Sequence, residues 1–193
     1  MALKIDQIKD LQDNSIINKS GSNITLGASN DTIAFASGVT NNMLTPALKV
    51  TLEGASQTGL TSATYNKVEF NTNDTGVTEA GTWDASNYRW TPGVSGNYFL
   101  SLNLEFYPES STAKQAIVVI YKNGTGLVNG YINMNDMYLR SAGINILSCA
   151  TIDTANTTDY YEAYIYVQTN SGTFAVRGFG YESATNFCGF RIK

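Results

Sequence analysis

The sequence contains no histidine among its 193 residues, and this absence excludes a large class of enzyme mechanisms. Imidazole is the usual general base, proton shuttle and nitrogen ligand for zinc at neutral pH, and it activates the nucleophile of Ser-His-Asp and Cys-His sites. Hydrolases of these types and mixed Cys/His zinc sites are therefore excluded. We expect a non-enzymatic protein with no catalytic residues, no metal and no cofactor.

Charged residues are also scarce, at 15% of the chain against roughly 25% in an average globular protein. The 12 Lys and Arg residues are outnumbered by 16 Asp and Glu, so the formal net charge is −4. A negative protein with few cations lacks the attraction to phosphates on which nucleic-acid binding depends. We therefore expect no nucleic-acid partner.

Two cysteines, Cys149 and Cys188, are too few for a disulfide framework, although a single bridge stays open. Cys188 shares a strand face with Phe190 and Ile192, which favours a buried and inert thiol. No apolar run approaches the roughly 18 residues of a membrane span, and the first residues do not resemble a signal peptide. We expect no membrane partner and synthesis in the cytoplasm.

Tyrosine, by contrast, is abundant, with 12 residues, and aromatic and β-branched runs recur from Tyr65 onward between Gly, Asn, Pro and Ser clusters. This pattern is typical of an all-β sandwich or jelly roll. The Asn-Gly pair at 123–124 predicts a hairpin turn. We predict strands near 65–71, 97–107, 115–122, 125–132, 142–152, 159–168, 172–179 and 186–192.

One predicted strand has a clear two-residue period. From Asn97 to Tyr107, polar residues alternate with large apolar residues, so one face is buried and the other wet. The apolar positions are Tyr98, Leu100, Leu102, Leu104 and Phe106.

Residues 1–60 differ from the rest, because they carry a single aromatic residue and too little apolar mass for a core of their own. The first residues suit either one or two helical turns or an extended arm. Asn23–Gly27 and Asp31–Gly38 read as short strands. We divide the chain into an N-terminal attachment arm, 1–60, and a sandwich domain, 61–193, and expect a neighbouring chain to hold the arm.

Two patterns suggest chemistry only weakly. The segment Asn71–Gly76 resembles the start of a calcium loop but lacks the closing Glu, so a turn is favoured. A glycosidase would need two carboxylates facing each other across a cleft, whereas polar strand faces and turns account for the scattered acids. The acids of the second half are Asp136, Asp153, Asp159, Glu162 and Glu182.

Aromatic residues of the second half allow two interpretations, a platform for sugars or packing in the core and against another subunit. We favour packing, because Tyr164 and Tyr166 alternate with apolar residues on 159–168 and both faces of that strand need cover. The residues concerned are Trp83, Tyr88, Trp90, Tyr160, Tyr164 and Tyr166.

Four segments resemble, in order, the jelly-roll head domain of the complement and tumour-necrosis-factor superfamily. Tyr65–Asn71 matches an aromatic-x-x-Val-x-Phe-Asn strand, and Trp90–Phe99 has the family's Pro, Gly and Tyr in order. Ile120–Gly124 carries its Lys-Asn-Gly hairpin, and Asn186–Ile192 its Phe-x-Gly-Phe closing strand.

The resemblance implies an all-β fold, a jelly-roll sandwich of about ten antiparallel strands that assembles as a homotrimer. An extended N-terminal arm with short β segments precedes it. The animal members carry a signal peptide and often a collagen stalk, and the sequence departs from them on both counts. The residues expected at the trimer interface or in the core are Tyr98, Tyr161, Tyr164, Tyr166, Phe187 and Phe190.

The short strands of the arm resemble the β repeats of tailed-phage fibres, and an arm before a trimeric jelly roll is similar to phage virion proteins. We therefore expect a capsid decoration (cement) protein on the virion surface, with the major capsid protein or another virion protein as partner. The alternative is a tail or head fibre tip that recognises a host surface glycan or protein. The expected capsid attachment residues are Leu3, Ile5, Ile8, Leu11, Ile16, Ile17, Ile24, Leu26, Ile33 and Phe35.

Overall fold

The computed structural model describes three short strands near the N terminus and then residues 46–73, 81–109, 112–134, 145–178 and 184–192. Every regular element in these stretches is a β-strand, and none is a helix. The chain divides into two compact units, Met1–Asn42 and Met43–Lys193. Over the same stretches, no helix has the length and apolar character needed to cross a membrane.

The described residues of the first unit form one antiparallel sheet of three strands, β1 (Gln7–Lys9), β2 (Ser15–Ser20) and β3 (Asn23–Leu26), in the order β1-β2-β3. Of the two alternatives for the first residues, the structure has the extended one at β1 and β2. The predicted strand over Asn23–Gly27 is confirmed as β3, whereas Asp31–Gly38 lies outside the described residues.

In the described part of the second unit there are thirteen strands, which pair in two sheets. They are β4 (Ala47–Thr51), β5 (Gln57–Leu60), β6 (Tyr65–Lys67), β7 (Thr72–Asn73), β8 (Thr82–Asp84), β9 (Arg89–Thr91), β10 (Gly96–Pro108), β11 (Ala113–Lys122), β12 (Thr125–Asn133), β13 (Asn145–Ala155), β14 (Tyr161–Thr169), β15 (Phe174–Val176) and β16 (Asn186–Arg191).

The first sheet is built around the long strand β10, which pairs with β13 along one edge and with β16 and β15 along the other. β4 pairs with the other edge of β16, β5 pairs with the other edge of β15, and β7 pairs with β4. The second sheet has the order β12-β11-β14, with β6 and β9 on the far edge of β14 and β8 outside β9. All pairs are antiparallel, so the predicted sandwich of two antiparallel sheets is confirmed.

The core lies between the inner faces of the two sheets, where the alternation predicted for β10 is confirmed. Its five apolar positions, from Tyr98 to Phe106, are fully buried, while Phe99, Ser101 and Asn103, which alternate with them, are half-buried. The second sheet contributes the alternate residues Ala116, Val118 and Ile120 from β11.

Trp90 on β9 is the largest fully buried side chain, and it explains the glycine in the closing strand. Its ring lies edge-on to Tyr98 at 5.7 Å and 6.2 Å from Tyr161. A Cβ on Gly189 would lie 2.7 Å from Cζ3 of Trp90, which no side chain could satisfy without displacing the indole. The glycine of the Phe-x-Gly-Phe segment thus allows β16 to approach this ring closely.

The hairpin predicted at Asn123 and Gly124 is confirmed. These residues join β11 to β12 with φ of +52° and +77°, as a two-residue turn with both central residues in the left-handed region requires. Asn123 also ties the turn to the segment before β14, because its side chain accepts from the amide of Tyr160 and donates to Asp159. Local turn chemistry and tertiary contacts therefore agree at this position.

The boundary expected at residue 60 needs a correction. β4 pairs with the closing strand, with Val50 opposite Phe187, and β5 pairs with β15. Leu48, Val50 and Leu52 are buried in the core. Residues 47–60 therefore belong to the sandwich. The polar and glycine-rich residues that follow Leu52 hid this short buried strand from a reading of composition.

Candidate interaction surface

The outward face of the first sheet is open to solvent along β13. Successive residues of this strand point alternately to the core and away from it, and the alternate residues that point away are all exposed. Ile152 is 65% exposed and Ile146 55%, although both are fully apolar. The outward residues of β13 are Ile146, Ser148, Ala150, Ile152 and Thr154.

A continuous apolar row crosses this face from β4 to β13. Residues directly opposite one another on neighbouring strands share a face, and the register places Ala47 opposite Phe190, Phe190 opposite Phe99, and Phe99 opposite Ile152. The rings of Phe99 and Phe190 lie 5.4 Å apart, and Phe190 is 45% exposed. We call Ala47, Phe190, Phe99 and Ile152 the apolar row.

The same face becomes polar beyond the apolar row, first at Lys49, Cys188 and Ser101, and then at side chains that hydrogen-bond to one another. Ser148 Oγ donates to Asn103 Oδ1 at 2.6 Å, and Asn103 Nδ2 donates to Asn186 Oδ1 at 3.1 Å. Further along β10, Arg177 donates to Glu105 Oε1 at 2.6 Å. A partner could therefore cover this face without leaving these side chains unpaired, which would otherwise cost stability.

The outward face of the second sheet carries tyrosines instead. Tyr121 stacks on Tyr164 at 4.2 Å, and Tyr65 lies 5.3 Å from Tyr166 and 6.2 Å from Tyr121. We call Tyr65, Tyr121, Tyr164 and Tyr166 the tyrosine cluster. Lys67 Nζ lies 5.6 Å from the ring centre of Tyr164. The two outward faces thus differ in chemistry, because phenol hydroxyls tolerate water and the side chains of the apolar row have no polar atom.

Comparison with solved structures identifies the fold. The chain is similar to the Eiger TNF of S. frugiperda, with a TM-score of 0.51 and 9% identity over 75% of this chain and 90% of that one. It also matches murine APRIL, with a TM-score of 0.48 and 13% identity over 75% and 95% of the two chains. The fold is a TNF-like jelly roll. No family model and no curated protein matches the sequence.

Within this jelly roll, the six residues predicted at an interface or in the core fall in three places. Tyr98, Tyr161 and Phe187 are fully buried core residues. Phe190 belongs to the apolar row, and Tyr164 and Tyr166 belong to the tyrosine cluster. The sequence reasoning missed Phe99 and Ile152, the other large members of the row. Alternation within 145–155 would have found Ile152 as an outward apolar residue.

The aromatic platform suggested by the sequence does not form as one surface. Trp90 is fully buried, and Trp83 packs edge-on to Phe70 at 6.5 Å. Tyr160 is separate from the tyrosine cluster and lies 4.9 Å from the guanidinium of Arg89. Tyr164 and Tyr166 share an outward face, where they lie with Tyr65 and Tyr121, which were not among the residues predicted for the platform.

The expected attachment residues lie in the first unit. Ile8 is in β1, Ile16 and Ile17 are in β2, and Ile24 and Leu26 are in β3. The remaining five lie outside the described residues: Leu3, Ile5, Leu11, Ile33 and Phe35. Their role in attachment stays a prediction.

The two cysteines differ in environment, and the expectation for Cys188 was wrong. No disulfide joins Cys149 to Cys188. Cys149 points into the core, and its burial raises the pKa of the thiol to about 11, so it stays protonated at neutral pH. Cys188 is only half-buried, because it lies on the outward face of the first sheet, opposite Lys49.

The candidate carboxylates that the structure describes are engaged with cations. Glu162 pairs with Lys67, while Asp153 and Asp159 lie 2.8 Å and 3.2 Å from Lys122 Nζ. Asp136 and Glu182 lie outside the described residues, as does part of the calcium-like segment, 74–76. Among the residues that the structure describes, no three His, Cys, Asp or Glu side chains converge on a metal-sized site.

Asp159 joins two turns and makes stability depend on pH. The backbone amide of Asn156, and then the side-chain amide of Asn123, hold the pKa of Asp159 below its ordinary value of 3.8. The folded state therefore binds this proton less readily than the unfolded state. Its contribution to stability is complete above the ordinary pKa and is lost as pH falls through the lower folded pKa.

We expect the variant Asp159→Asn to lower the melting temperature at neutral pH, because the carboxylate loses its charge-assisted hydrogen bonds. The difference from wild type should shrink as the pH falls through the lowered folded pKa of Asp159, because the wild-type group is also neutral below it. Thermal unfolding at a series of pH values measures this. A difference that is the same at neutral and strongly acidic pH would show that the charge of Asp159 contributes nothing.

Proposed function

We propose that the chain is the subunit of a homotrimeric, non-enzymatic virion surface protein, a capsid decoration protein whose jelly roll trimerises and whose N-terminal unit attaches to the capsid. The observation that carries the assembly part is the apolar row. Its four side chains have no polar atom, yet Ile152 and Phe190 remain 65% and 45% exposed in the protomer. The resemblance to the complement and tumour-necrosis-factor superfamily supports three-fold symmetry.

Burial of the row on assembly is favourable for a simple reason. Apolar surface contributes roughly 25 cal/mol for each Å² removed from water, and two phenyl rings and an isoleucine side by side provide a concentrated source of it. Beyond the row, the side chains of Ser148, Asn103 and Asn186 already pair with one another, so a partner meets no unsatisfied amide at these positions. Copies related by a three-fold axis would bring this face of each subunit against its neighbours.

The separate N-terminal unit supports the attachment part of the proposal. Its three-stranded sheet lies within a compact unit of its own, Met1–Asn42, which is divided from the rest of the chain between residues 42 and 43. Three such units on one trimer bind with a high effective local concentration, so weak individual contacts give strong attachment. Apolar residues on β1 to β3, including Ile17 and Leu26, would provide those contacts.

Removal of residues 1–42 tests the attachment. The second unit has its own core, so we expect the truncated chain to remain trimeric. It should lose binding to the virions on whose surface the full-length chain is proposed to lie. Co-sedimentation with particles measures the binding, and light scattering measures the mass. The full-length chain is the control. Undiminished binding by a truncated trimer would contradict the role of the arm.

The alternative location, a fibre tip, is separated from capsid decoration by copy number and position. A decoration protein should occur in many copies over the capsid, and a fibre tip in few copies at the end of an appendage. Antibody labelling of purified virions distinguishes the two. Absence of the protein from the particle would contradict both locations. It would not test the trimer, which the measured mass of the assembly tests separately.

A further inference from the structure

A second open surface lies on the outward face of the second sheet, around Ile117. The register places Tyr131, Ile117, Tyr166 and Tyr65 opposite one another on four neighbouring strands, β12, β11, β14 and β6. Tyr131 is 54% exposed and Tyr65 43%, while Ile117 and Tyr166 between them are half-buried. Three strand spacings separate the two exposed rings, a span of roughly 14 Å.

We call Tyr131, Ile117, Tyr166 and Tyr65 the tyrosine row, and amide side chains border it on the same face. Gln115 lies opposite Asn133 on β12 and opposite Gln168 on β14, and Asn129 lies on the other side of Tyr131. The hydroxyl of Tyr131 already donates to Gln115 Oε1 at 3.3 Å. Each amide offers both donors and an acceptor, so the border suits a ligand that carries many hydroxyl groups.

The four residues of the tyrosine row are uncharged. Lys67 lies beside the row, two residues from Tyr65 on β6, and it pairs with Glu162. A phosphate or nucleic acid would require unpaired cations here. A second copy of the chain would have to bury phenol and amide groups away from water. An uncharged polar ligand meets neither cost.

We propose that this surface binds an uncharged oligosaccharide, with Tyr131 and Tyr65 stacking on sugar rings and Gln115, Asn129 and Gln168 bonding to sugar hydroxyls. Tyrosine rings suit this ligand because the ring face packs on the C–H groups of a sugar while the hydroxyl stays in water. The site is formed within one protomer. It depends neither on the trimer nor on the place of the protein on a virion.

Titration calorimetry of the full chain against cellohexaose, maltohexaose and chitohexaose tests the proposal, with oligogalacturonate as the charged comparison. We expect saturable binding of at least one uncharged hexasaccharide. Tyr131→Ala and Tyr65→Ala should each weaken that binding about tenfold, the equivalent of one aromatic contact. Tyr160→Ala is the matched control, because it removes a tyrosine that lies about 20 Å from Tyr166, measured along the direction of β14.

Three results would overturn the proposal: no binding of any uncharged hexasaccharide, equal weakening by Tyr160→Ala, or binding of oligogalacturonate alone. A change in the mass of the assembly in Tyr131→Ala would instead make this face a contact between copies. Gln115→Ala provides a second variant, because it removes a polar border group without touching an aromatic ring. Circular dichroism of each variant confirms that the sandwich is intact.

Discussion

Replacement of Phe190 by aspartate is expected to convert the proposed trimer into monomers of 20.9 kDa. Phe190 lies in the middle of the apolar row, between Ala47 and Phe99, so any partner that covers the row must cover this position. Burial of an unpaired carboxylate costs several kcal/mol, and each trimer would contain three. Light scattering after size exclusion measures the mass.

The matched control is Ile132→Asp. Ile132 is 37% exposed on β12, in the second sheet and away from the row, so the same charge there should leave the mass unchanged. Because Phe190 is 45% exposed in the protomer, the Phe190→Asp monomer should keep the circular dichroism of a β-sandwich. An unchanged mass in Phe190→Asp, or equal dissociation by Ile132→Asp, would exclude the row as the interface.

Truncation of Trp90 to alanine is expected to destabilise the fold by about 3–5 kcal/mol, the usual cost of a large aromatic side chain lost from a core. The indole is fully buried and touches Tyr98, Tyr161 and the backbone of Gly189. It therefore joins β9 to strands of both sheets. Urea unfolding measures the loss, at one protomer concentration for all variants because assembly adds to the apparent stability.

Trp83→Ala is the control for this prediction. Trp83 lies opposite Trp90 on β8 but is only half-buried, and its edge contact with Phe70 spans 6.5 Å. The same truncation should therefore cost clearly less at position 83. If the two variants lost equal stability, Trp90 would not be the ring around which the sheets pack.

The long strands of the sandwich could be predicted because each carries its burial pattern within its own residues. Alternation in β10 and the Asn-Gly turn after β11 are local signals, and the structure confirms both. The short strands β4, β5, β7, β8 and β9 were missed. A strand of two to five residues between polar turns has too few alternations to stand out, and Leu48 and Val50 are recognised as core only once β4 is paired with β16.

The interaction surfaces depend on register, which no single strand contains. Phe190 was expected at an interface from its segment, but its partners Phe99 and Ile152 lie about 90 and 40 residues away in the chain and meet it only through the pairing of β10 with β13 and β16. The same holds for Tyr65 and Tyr131. Sequence alone therefore gave the composition of the faces but not the rows on them.

The central claim is that the apolar row is covered by copies of the same chain. Sedimentation equilibrium of the wild-type protein over a wide range of dilution measures this most directly. We predict a species of three times the protomer mass that dissociates, if at all, only at the lowest concentrations. A single species of 20.9 kDa at every concentration would contradict the claim, because the row would then be stable in water without a partner copy.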